Sequence, residues 1–155
     1  MFTTPKDIAL SNVKFLGMRT GRLATANMPI LYALAGRNNV VGWLTGADYH
    51  AVRTYHKLVG LICFIQAAIH TLCYTANYVE GTGIQRMTQI WTNPAKHQYL
   101  QWGTAAVISA MFCCLLAAGP IRRRGYELFL ISHIAGAAVF LAGAYKHRRS
   151  EMYNW

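Results

Sequence analysis

Four of the six histidines in this 155-residue chain fall into two pairs with the same interval, His56 with His70 and His133 with His147. Each pair lies within, or at the rim of, a long apolar block. A helix of that interval turns through about 1400°, some 40° short of four full turns, so both imidazoles of a pair share one face. It also rises about 21 Å, most of the way across a hydrocarbon core of roughly 30 Å. Each block therefore presents one imidazole near each membrane face. Two such helices side by side form two facing pairs, one per leaflet. A low-spin haem takes an imidazole above and below its iron, and helix bundles supply cofactor ligands from facing helices in this way. The two blocks are joined through one intervening span and so run parallel. His56 then faces His133, and His70 faces His147.

Other readings of these residues are blander. A single intramembrane histidine could be hydrogen-bonded to a neighbouring helix or lie in a proton path. Repetition of one interval on one face of two spans favours ligation, because ionisable groups in lipid are costly and are rarely placed without a partner. His50 and His97 fall in connecting segments, lack this spacing and read as surface residues. Gly60, Ala67, Ala68, Gly136, Ala137, Ala138 and Gly143 leave room for a flat ring, or equally for a close helix. Haem propionates want cationic partners. Arg22 is the best intramembrane candidate, with Arg19, Arg37, Arg53 and Lys57 behind it, for which snorkelling to headgroups is the simpler account. No residue reads as a general acid, base or nucleophile, so the chemistry would belong to the iron.

The elements that must position these residues are membrane spans. Apolar and aromatic residues make up 54% of the chain and charged residues 13%, well below the usual quarter. The apolar residues gather into blocks at 13–35, 52–78, 99–119 and 126–147, which predicts an all-α integral membrane bundle of about four helices with a bis-haem core. The first block is interrupted by Arg19, Arg22 and Asn27, with Pro29 where a kink would fall. Residues 40–49 are too short and broken to cross and read as a re-entrant or interfacial connection. Residues 79–98 read as a polar loop outside the hydrocarbon, and Pro120 with Arg122, Arg123 and Arg124 closes the third span. Residues 1–12 form an N-terminal flank without the apolar core of a signal peptide.

The net charge of +10, from fifteen Lys and Arg against five Asp and Glu, raises the question of nucleic acid. The basic residues sit at the ends of apolar blocks, as headgroup anchors do, which argues against it. Their split between the two sides is almost even, so charge alone sets no orientation. The four cysteines lack zinc-ligand spacing and read as packing residues.

Three stretches together, GRLATANMPILYALAGRNN, YHKLVG followed by AAIH, and RRRGYELFLISHIAG with a closing His, resemble the ferric reductase transmembrane domain, closest to fungal ferric-chelate reductases and with the core shared by NADPH oxidases. The likeness covers the chain from about Gly17 onward. It implies two b-type haems, with His56 and His133 on the inner iron and His70 and His147 on the outer one. It also implies electrons arriving from cytosolic NADPH through FAD and leaving to ferric or cupric chelates, or to O2 in the oxidases. Residues 36–39 and 122–124 would then be cytosolic, 79–98 outside, and the location a multi-pass one, in the plasma membrane. The family's FAD and NADPH domains and its flanking helices have no counterpart here. That implies a fragment ending at the start of a further helix at 150–155, or dependence on a separate flavin reductase partner. The rivals are a superoxide-generating oxidase core and a non-redox transporter fragment or assembly subunit.

Overall fold

The computed structural model describes residues 5–92 and 94–148, and these residues form helices with no strand among them. Helix α1, Pro5–Ala33, opens on a proline and an early Asp7 and runs through Pro29 as one element. A proline at the first helical position loses no hydrogen bond, and a carboxylate there meets the positive end of the helix dipole. The short α2, Val40–Thr45, starts where the Asn39 side chain accepts from the Gly42 N–H at 2.6 Å, and stops at Gly46, whose φ of 70° is left-handed. Trp43 on α2 is 83% exposed, beside exposed Val40 and Leu44. Such a surface fits the interfacial connection read from the sequence.

Helix α3, Tyr49–Thr92, begins with the Asp48 carboxylate accepting from the Ala51 N–H at 2.7 Å and is broken at Gly83 (φ 75°, ψ 159°). The segment beyond this break is helical, whereas a loop was expected there. Two nearby glycines and a polar composition mask an amphipathic turn pattern in Ile84, Met87 and Trp91. Helix α4 is Pro94–Leu116, α5 the short Gly119–Arg124, and α6 Tyr126–His147. The expected next helix at 150–155 lies outside the described residues.

Three helical stretches are long and apolar enough to cross a membrane: Tyr49–Gly81, Gln98–Leu116 and Tyr126–His147. Helix α1 has the length, but Lys14, Arg19 and Arg22 hold it below the same standard. Between 11% and 17% of the residues in the three apolar windows are buried within the protein. Few of their side chains are therefore buried by the protein itself, and the exposed apolar ones, such as Leu72, Phe112, Leu115, Leu128 and Ile131, are stable only against lipid.

The chain repeats one plan twice, a long helix, a six-residue helix and a second long helix. Helix α1 packs along α3 and α4 along α6, and the two pairs are joined along α3 and α4. The histidine-bearing α3 and α6 are not among the closely packed pairs. Their connections place α2 and α5 at one end of the bundle and the α3–α4 junction at the other. Buried Ala24 and Met28 of α1, Cys63 and Ala67 of α3, Ala106 and Ala110 of α4, and Phe140 of α6 form the core. Polar links cross it: the Asn27 amide donates to Gln66 Oε1 at 2.9 Å, Ser109 to the Gly136 carbonyl at 2.5 Å, and Tyr32 to the Ala137 carbonyl at 2.5 Å.

Candidate functional site: two levels of paired histidines

Parallel α3 and α6 bring the four histidines together as the spacing requires. The rings of His56 and His133 have centroids 6.4 Å apart, and those of His70 and His147 6.0 Å apart. Both pairings cross from one helical unit to the other. Cys63 and Phe140, both buried, sit halfway between the two levels on α3 and α6 respectively. The four cysteines are free thiols, Cys63 and Cys73 buried and Cys113 and Cys114 half-buried.

Three of the four rings are also held from behind. His70 Nδ1 donates to the Gly17 carbonyl at 2.8 Å, His56 Nδ1 to the Leu31 carbonyl at 3.1 Å, and His147 Nδ1 to the Tyr99 carbonyl at 2.7 Å. A carbonyl can only accept, so these bonds fix the Nδ1–H tautomer and make Nε2 the lone-pair nitrogen. A backbone carbonyl behind a ligating imidazole is the usual way of orienting it and raising its basicity. His133 differs: its buried Nδ1 lies near the Cys113 backbone but makes no hydrogen bond of normal geometry. The neighbouring helix comes close because glycine allows it. A Cβ on Gly21 would stand 2.5 Å from His70 Nδ1, and one on Gly103 would stand 2.6 Å from His147 Nδ1.

These supports repeat between the two units. Gly17 and Gly21 of α1 do for His70 what Tyr99 and Gly103 of α4 do for His147, with the same four-residue step. Ala24 and Ala106, and then Met28 and Ala110, follow at matching intervals, all four buried. No histidine spacing announces these backbone partners, because a carbonyl acceptor leaves no mark on residue type; only the paired glycines could have hinted at them.

A cavity of about 510 Å³ lies at the His70–His147 level. Its walls include Gly21, Arg22, Ala67, Phe140 and Ala144, and its rim carries Tyr78, Met87, Trp91, Tyr99 and Arg148. Arg22, the intramembrane candidate for an acidic partner, thus belongs to this level. Arg53 and Lys57 lie at the opposite end of α3, near the His56 level, and Arg53 rests 5.9 Å from the Tyr49 ring. Arg19 stacks on Phe15 at 4.8 Å, and Arg37 lines a surface groove beside α2. His50 is exposed, as expected; the side chain of His97 lies outside the described residues.

Among the described residues no group of three or more His, Cys, Asp or Glu could hold a metal ion, so a metal held at either level would have two imidazoles from the protein and would take its other ligands from a macrocycle. A metal–imidazole bond is about 2 Å long and the ligating nitrogen lies a little over 1 Å from its ring centre, so two axial imidazoles have centres roughly 6 Å apart. Both observed pairs meet that value, and the cavity is in the usual range for a ligand of this size.

Fold and site together define a multi-pass α-helical membrane protein with two stacked imidazole pairs. Residues 20–144 match the model of the ferric reductase like transmembrane component family, and the chain belongs to that family. It is 30% identical over 136 residues to a probable ferric reductase transmembrane component of Candida albicans, covering 88% of this chain and 19% of the relative. Over 135 residues it is 34% identical to ferric reductase transmembrane component 5 of Saccharomyces cerevisiae, covering 86% and 18%. Ferric/cupric reductase transmembrane component 1 of Candida albicans is similar at 30% over 136 residues, covering 88% and 17%. The chain thus spans about a fifth of the length of these relatives. No solved structure matches it.

Proposed function

We propose that this chain is the membrane-crossing electron path of a ferric- or cupric-chelate reductase, built to hold two b-type haems. The observation that carries the reading is the pair of imidazole–imidazole separations near 6 Å, with three of the four rings tethered through Nδ1 to a backbone carbonyl. Bound there, the haems would supply one-electron chemistry at two levels about 20 Å apart along the helices.

The chain's own residues do the rest. His56 and His133 would hold the inner group, and His70 and His147 the outer one. The Gly17, Leu31 and Tyr99 carbonyls orient three of the ligands, and Gly21 and Gly103 let the flanking helices close on two of them. Phe140, Cys63 and Met28 keep water out of the space between levels; Met28 is 2% and Cys63 1% exposed. Arg22 supplies positive charge for a propionate at the outer level. Ferric or cupric chelates would be reduced at the face carrying the α3–α4 junction, after electrons enter at the α2–α5 face from NADPH and FAD held elsewhere in a longer protein or on a partner. The proposed location is the plasma membrane.

A reduced-minus-oxidised spectrum of the purified protein tests the reading. A b-type signal with two haems per chain is expected, and its absence would remove the proposal. Membranes supplied with the flavin and nucleotide domains should reduce ferric chelates; superoxide release without chelate reduction would instead identify an oxidase.

A further inference from the structure

The segment after Gly83 folds back across the rim of the cavity at the His70–His147 level. Met87 and Trp91, one helical turn apart, line that cavity, while Gln85, Thr88, Gln89 and Thr92 are exposed. The segment thus sets sulfur and indole against the cavity and turns Ile84 with these four polar side chains away from it; the indole edge stays 43% exposed. Two hydrogen bonds fasten its far end to α4. Trp91 Nε1 donates to Thr104 Oγ1 at 3.3 Å, and the Gln101 amide donates to the Trp91 carbonyl at 3.1 Å. At its near end stands Gly83, in a positive-φ conformation, with no atom within 4 Å of where a Cβ would be. Beside it the Tyr78 and Tyr99 hydroxyls meet at 3.2 Å across the same rim.

An open glycine hinge, an apolar underside and a clasp of two exposed neutral hydrogen bonds are the parts of a segment that opens well before the packed core does. We propose that residues 84–92 are a lid, and that Met87 and Trp91 select the electron acceptor at the outer level. With the lid down, a small neutral acceptor such as O2 reaches the group held by His70 and His147; a bulky anionic metal chelate reaches it only when the lid lifts. In that step one electron passes to the chelated Fe(III), giving Fe(II), and the donor is oxidised by one electron with no bond made or broken. The inference rests on the reading of the two histidine levels as haem sites.

The test uses the whole chain in lipid nanodiscs, reduced chemically and mixed with either ferric citrate or O2 while the b-type absorption is followed. Trp91→Ala should speed reoxidation by ferric citrate about fivefold or more and leave the O2 rate within about twofold. Thr104→Val, which keeps the indole and removes one clasp bond, should shift the same ratio in the same direction. A second readout needs no bound group. Thr75→Cys places a thiol on the cavity wall, and its labelling by a membrane-impermeant maleimide should quicken when Trp91→Ala is added. Equal changes in both reoxidation rates, or labelling indifferent to Trp91→Ala, would overturn the lid. Absence of any b-type signal would instead refute the haem reading, and the labelling result would still decide whether the segment covers the cavity.

Discussion

At the scale of single residues, the pairing of the four histidines makes a prediction that mere ligand counting does not. If each level needs both of its imidazoles, His56→Ala and His133→Ala remove the same haem. The double variant should then lose no more than either single one, whereas His56→Ala with His147→Ala should lose both. Haem content per chain, read from the reduced-minus-oxidised spectrum, checks this; additive loss in the first double variant would break the pairing. The glycines behind the rings extend the argument. A methyl group on Gly103 would overlap the His147 ring at Nδ1, with Cγ and Cε1 also inside normal contact. The imidazole must then swing away from its Tyr99 tether. Gly103→Ala is expected to empty the His70–His147 level while the His56–His133 level keeps its signal, and Gly21→Ala, acting on His70, should do the same. Equal loss from both levels would point to general misfolding instead.

At the scale of elements, α1 is held to α3 by close packing and by one amide pair within the bilayer, Asn27 to Gln66. Asn27→Leu leaves the Gln66 amide facing hydrocarbon, and interhelical hydrogen bonds of this kind contribute about 0.6–2 kcal/mol. Thermal unfolding in detergent should drop for Asn27→Leu, and adding Gln66→Leu should recover part of the loss, because two apolar side chains leave no polar group stranded. A double variant less stable than the single one would show that the amides serve something other than this link. The elements also mark how much could be read beforehand. The histidine faces were legible because an interval of fourteen on two apolar blocks survives any detail of packing. The helix over residues 84–92 was not, since Gly81, Gly83 and the surrounding polar residues carry a turn signal stronger than its single apolar face. Nor were the carbonyl tethers, which use backbone atoms of Gly17, Leu31 and Tyr99 that no side chain advertises.

At the scale of the whole molecule, the repeat of long helix, short helix and long helix means that each half contributes one imidazole to each level. Residues 5–92 hold His56 and His70, and residues 94–148 hold His133 and His147; neither half holds a complete pair. Within each half the two long helices pack closely on each other, while the halves meet along α3 and α4 and, more lightly, through links such as Tyr32 to Ala137. Helices in lipid fold individually before they associate, driven by packing and interhelical hydrogen bonds rather than by expulsion from water. A chain cut between residues 92 and 93 should therefore reassemble when its two pieces are made in the same membrane. Either piece alone should show no bis-histidine b-type signal, and the two together should restore one with both levels occupied. A full signal from one piece alone would mean that a half can pair its own histidines with those of a second copy, and the cross-half pairing of His56 with His133 and of His70 with His147 would have to be given up.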